Sequence, residues 1–227
     1  MSDRARFGDP TAAVAGGYVL VPAGILVAVG LVLHPLPAGG FEERASVLST
    51  TPLWGPIHAA IAAGFILTAV GALLVLVSGG PGRSSVGRAS WAAMVIGMLF
   101  FAGVALVNAW VMHRLSASAA RGENQALFDA FNGLLIGFGW LGNPLFLAGL
   151  TGVAFLEVRD HAAALPGWLA AGGLLAILLS WLRGIGSASG LFFLEPFVLA
   201  NIPAFLWLSW YGWRIARLAG QQSASPR

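Results

Sequence analysis

An all-α membrane bundle is the fold class this sequence predicts, and three observations predict it. Charged residues make up 9% of the 227-residue chain, against roughly 25% in a soluble domain. Apolar residues make up 58%, and mean hydropathy is +0.82. Six apolar runs reach 18 residues or more, and about 20 helical residues cross a hydrocarbon core some 30 Å thick. In lipid, an open-ended element must satisfy its own backbone, which only a helix does. This composition excludes a soluble domain, a disordered chain and a nucleic-acid binder. The pI near 10.6 reflects scarce charge rather than a basic patch.

The predicted spans cover about Gly16–Leu33, Ile57–Val77, Ala89–Met112, Phe131–Leu156, Leu165–Leu182 and Leu191–Ile215. The first is too long for a signal peptide, and His34-Pro35-Leu36-Pro37 follows it where a small-residue cleavage site would be needed. An even number of spans puts both termini on one side. Arg4, Arg6, Arg83, Arg88, Arg159, Arg214, Arg217 and Arg227 fall on that side, and Arg44, Arg114, Arg121 and Arg183 on the other. Eight against four places the termini in the cytoplasm of a multi-pass inner-membrane protein. The connections are short, one domain (1–227) accounts for the chain, and residues 221–227 read as a disordered tail. A small surface helix fits near Phe41-Glu42-Glu43-Arg44. No repeat links the first three spans to the last three, which leaves an inverted-repeat transporter unsupported.

With zero Cys and no Lys, cysteine nucleophiles, iron–sulfur clusters and lysine Schiff bases are excluded. Ionisable groups within apolar runs are functional-site candidates. On the predicted topology, His34, His58, His113, Glu195 and Arg183 share the outer leaflet, while His161 lies inside beside Glu157 and Asp160. Three imidazoles and a carboxylate suit zinc, copper or iron. His34, His58, His113 and Glu195 are therefore metal candidates, with Glu195 also the candidate catalytic base and Asn108 and Asn132 as orienting groups. His58 and His113 are the candidate axial pair for haem. No His-x-x-x-His or His-Glu-x-x-His spacing accompanies them. The bland alternative is a set of interfacial histidines, with Arg183 and Glu195 closing a helical hairpin as an ion pair.

Asn143-Pro144 and Asn201-Ile202-Pro203 mark kinked helices in which the two Asn hydrogen-bond across the fourth and sixth spans. A ligand cavity there would be lined by Asn108, Asn132, Trp140, Asn143, Arg183 and Asn201. Trp140 and Trp207 read as core, whereas Tyr18, Trp54, Trp91, Trp110, Trp168, Trp181, Trp210, Tyr211 and Trp213 read as interfacial belt. Gly133-x-x-x-Gly137 is a close-packing face for the bundle or for a homo-oligomer or complex partner. Gly184–Gly190 reads as a loop. It is similar to the serine turn of rhomboid-like proteases but lacks a later His, and Glu42-Glu43-Arg44 fails the pattern of prenyl-endopeptidase-type intramembrane proteases.

His34-Pro35, a loop of some twenty residues, then Trp54-x-x-x-His58 opening a Leu- and Gly-rich helix resembles a class of uncharacterised bacterial multi-span membrane proteins. The resemblance covers about the first 80 residues and implies architecture, with no activity attached. On these residues the chain is expected to be a non-enzymatic ligand-binding, transport-related or accessory membrane subunit. The alternative is a metal- or haem-dependent enzyme or electron carrier.

Overall fold

The computed structural model describes residues 7–35, 41–81, 83–160, 165–189 and 191–224; the side chains of 41–44, 187–189, 192 and 195–196 lie outside that description. The described residues are helical, with no strand among them. In chain order the helices are α1 (Pro10–Leu33), α2 (Phe41–Thr50), α3 (Trp54–Val77), α4 (Ser85–Leu106), α5 (His113–Ala119), α6 (Gln125–Asp160), α7 (Gly167–Ser189) and α8 (Asn201–Ala224). A π-helical turn, Val107–Met112, joins α4 to α5, and a 3-10 helix, Phe192–Ala200, precedes α8.

Five segments are long and apolar enough to cross a membrane: Pro10–Leu33, Trp54–Val77, Ser85–Ala119, Gln125–Asp160 and Gly167–Gly186. The sixth predicted run is built differently. Its most apolar third, Phe192–Ala200, forms the 3-10 helix, so α8 begins at Asn201 and carries Arg214, Arg217 and Gln221 within its length. α8 also runs on through Ala224, where a disordered tail was expected. The Gln222 side chain accepts from the Phe7 amide at 2.9 Å and donates to the Phe7 carbonyl at 3.1 Å. The two ends of the described chain are thus tied together at one end of the bundle.

The long helices form a closed ring in the order α8, α1, α3, α4, α6, α7 and back to α8. Glycine sets how closely they approach. Gly16 of α1 lies against the Gly71 carbonyl of α3, and Gly17 against the Gly212 carbonyl of α8. Gly97 of α4 lies against the Gly142 carbonyl of α6. Small residues of this kind let backbones touch where no hydrophobic effect drives association in lipid. Four phenyl rings from four helices fill the centre. Phe65 (α3) meets Phe101 (α4) at 5.4 Å, and Phe101 meets Phe146 (α6) at 6.0 Å. Phe146 stacks on Phe205 (α8) at 5.1 Å, and Phe205 returns to Phe65 at 5.9 Å.

Several expectations change here. A Cβ at Gly133 or Gly137 meets nothing within 4 Å, so that small-residue face packs against no neighbour among the described residues. Trp140 is 56% exposed on the same outward side of α6, neither core nor cavity lining. Trp54, Trp91 and Tyr211 are buried rather than interfacial: the ring puts their faces inward, and Tyr211 stacks between Trp91 and Trp207. Gly184–Ser189 is helix, not loop. Small residues are tolerated in membrane helices, and the Leu191 amide closes the end on the Gly186 carbonyl at 2.8 Å.

Candidate functional site

The site is assembled where α1 ends and α3 begins. Pro35 disfavours helical backbone at the residue before it, so His34 sits just past α1 with extended dihedrals (φ −76°, ψ 118°). Trp54 and His58 are four apart in the first turns of α3 and share a face, their ring centroids 4.3 Å apart. His34 reaches across so that its Nε2 lies 3.0 Å from His58 Nε2. Its ring also contacts Trp54, at 5.1 Å.

The hydrogen-bond pattern fixes the tautomers. His58 Nδ1 lies 2.9 Å from the Trp54 carbonyl, which only accepts, so Nδ1 carries the proton. Neutral His58 then presents a lone pair at Nε2, which faces His34 Nε2. His113 follows the same rule. Its Nδ1 donates to the Leu48 carbonyl at 3.1 Å, one of the carbonyls the last turn of α2 leaves open, and its Nε2 is again the lone-pair atom. The π-helical turn just before His113 shifts the register of α4, its His113 amide bonding the Asn108 carbonyl. Such turns recur at functional sites. Gly55, beside Trp54, lies against the Ala109 carbonyl and the His113 ring. His113 therefore adjoins the pair without joining it.

Around this centre lies a second apolar cluster. Ala45 and Leu48 of α2, Trp54, Met112, Ala119 and Phe128 are all buried there. Trp54 is 2% exposed, and its indole N–H has no acceptor among the described residues. Burial holds the His34 imidazole below its ordinary 6.5, partly offset by hydrogen bonds to the Pro35 and His34 backbone. An unfolded chain takes up a proton there before the folded one does, so this contribution to stability is whole above pH 6.5 and lost as pH falls below it. Thermal melts followed by tryptophan fluorescence should be flat from pH 7 to 8 and drop below pH 6.5. The His34→Gln variant should flatten that drop; an unchanged drop would assign it elsewhere.

Among the other candidates, Asn108 donates to Val104 of its own helix at 3.1 Å, and Asn201 to Val198 at 3.0 Å. Asn201 thus closes the 3-10 helix rather than bridging to the fourth span. Asn143 sits against Gly184 of α7, not α8. Asn132 is half-buried on α6, and Arg183 is half-buried on α7. The Glu195 side chain and His161 lie outside the described residues, so the Arg183–Glu195 pair and the fourth metal candidate do too. Among the described residues no group of three His, Cys, Asp or Glu is placed to hold a metal ion. At the opposite end, a surface cleft of 280 Å³ is lined by Gly79, Gly80, Pro81, Arg83, Arg88 and Trp91 among others, none of them a cavity residue expected from sequence.

No family model, curated protein or solved structure matches this chain. The chemistry of the site is therefore read from its geometry.

Sequence reasoning placed Glu157 only as a neighbour of His161 and gave it no role. Glu157 is 0% exposed, not a connection residue. It accepts from the Leu165 amide at 2.7 Å and hydrogen-bonds Tyr211. The signal was present: an acid one residue past the expected span end, with helix continuing to Asp160.

Proposed function

We propose that the chain is an integral protein of the inner membrane, crossing it six times with both termini cytoplasmic. On this reading its histidine end binds a small ligand, in transport or as an accessory subunit of a membrane complex. The observation that carries the ligand-binding part is the buried Trp54 indole, its N–H without an acceptor among the described residues and its ring against a histidine pair. Leaving a buried donor unpaired costs about 1–3 kcal/mol. A ligand acceptor would supply the missing partner.

Six crossings are supported by α8, whose 24 residues rise about 36 Å and pack against α1 and α7. The arginine bias supports the orientation. The outward face of α6, with Gly133, Gly137 and Trp140, suits lipid or a partner subunit. The facing Nε2 atoms favour a second reading, a metal-dependent enzyme or electron carrier with Glu195 as base or ligand.

Because the chain has no Cys, single cysteines report topology directly. In intact cells a membrane-impermeant maleimide should label Ser46→Cys and spare Ser223→Cys; the reverse pattern overturns the orientation. Native mass spectrometry of detergent-purified protein should show a bound small species in the wild type that the His58→Gln variant loses. A bare wild type that also supports no flux in proteoliposomes and captures no partner overturns the function.

A further inference from the structure

We propose that His34 and His58 form a two-histidine site for a borderline transition-metal ion of the zinc or copper class, with its remaining coordination positions open. The inference rests on the reading of the histidine end as a ligand site and names the ligand class. Two nitrogens that each bond one ion at about 2.1 Å, at a right angle, lie about 3.0 Å apart. His34 Nε2 and His58 Nε2 are separated by 3.0 Å. Opening to a tetrahedral angle needs only a few tenths of an ångström more.

The two nitrogens belong to different elements, the stop of α1 and the first turns of α3. Neither ring is free to wander. His58 donates Nδ1–H to the Trp54 carbonyl, the arrangement by which metal-ligating histidines are commonly oriented and made more basic. His34 is wedged against both Trp54 and His58.

The second observation is independent. The Trp54 indole N–H is buried and has no acceptor among the described residues. A water, hydroxide or carboxylate held on the ion is the kind of acceptor it lacks. His113, with Nε2 as its lone-pair atom, stands beside the site but not within its first contacts. Two protein ligands leave positions for water and for an exchangeable group, which distinguishes this site from a closed structural one.

The test uses full-length protein purified on a tag free of histidine, stripped with chelator and titrated with Zn²⁺ alone. Calorimetry and elemental analysis should give one Zn²⁺ per chain. His34→Gln and His58→Gln should each weaken binding by more than the roughly 10–100-fold typical of outer-shell losses, and Trp54→Phe by about 10-fold. His161→Ala should bind as the wild type does. X-ray absorption should place nitrogen at about 2.0–2.1 Å from zinc, a readout that does not depend on the variants folding. Zinc retained at wild-type affinity in both histidine variants, or no zinc bound by the wild type, overturns the metal site. A wild type without zinc that still carries a non-metal species by native mass spectrometry sinks the metal inference alone. One carrying neither removes the ligand-site reading with it.

Discussion

Replacing Gly24 with leucine should strongly destabilise the bundle, whereas the same change at Gly137 should leave the stability of the chain unaltered. A Cβ on Gly24 runs into the Ser209 hydroxyl and the Phe205 carbonyl of α8. Ser209 is itself committed, donating to Val21 at 3.0 Å and Phe205 at 3.1 Å. The obstacle is therefore backbone and a bridging hydroxyl, not a side chain free to swing away. Overpacking a well-filled contact costs about 1–3 kcal/mol and occasionally more, and a leucine here belongs at the upper end, about 3 kcal/mol. At Gly137 nothing stands within 4 Å. Denaturant titration in detergent, read by tryptophan fluorescence, compares the two. Equal midpoints would refute the α1–α8 contact as drawn.

Glu157→Ala should be the most damaging polar change. It removes the acceptor of the Leu165 amide, at 2.7 Å, and the partner of the Tyr211 hydroxyl. Each is buried, and each stranded donor costs about 1–3 kcal/mol, so a loss of about 2–4 kcal/mol is expected. The damage should be local first. The Leu165 amide secures the approach to α7, so hydrogen exchange over 165–170 should speed up well before that of α1. Glu157→Gln keeps an acceptor oxygen and should recover much of the loss. Unchanged exchange in the alanine variant would mean the carboxylate is incidental.

The helical architecture was legible because a membrane helix is written as an uninterrupted apolar length, and six such lengths stand in the chain. The His34–His58 meeting was half-legible. His-Pro marks where α1 must stop, and Trp54-x-x-x-His58 places two rings on one face, but no linear pattern says that α1 and α3 are neighbours. That depends on the ring order, which rests on glycine contacts such as Gly16 with Gly71. The same gap explains the misplaced aromatics. Trp91 and Tyr211 sit near span ends, as belt residues do, yet the rotation of α4 and α8 turns them inward. Trp140 is deep in sequence, but its helix face looks outward. The start of α8 was hidden because a 3-10 segment as apolar as Phe192–Ala200 reads as more of the same helix.

The four-phenyl contact at the centre couples four helices that lie apart in sequence. Phe65, Phe101, Phe146 and Phe205 belong to α3, α4, α6 and α8, and each ring touches two others. Together they place an apolar layer between the His34–His58 end of the bundle and the Glu157 end. A change at any one ring is therefore felt by two neighbouring helices at once, which ties the packing of the two ends together.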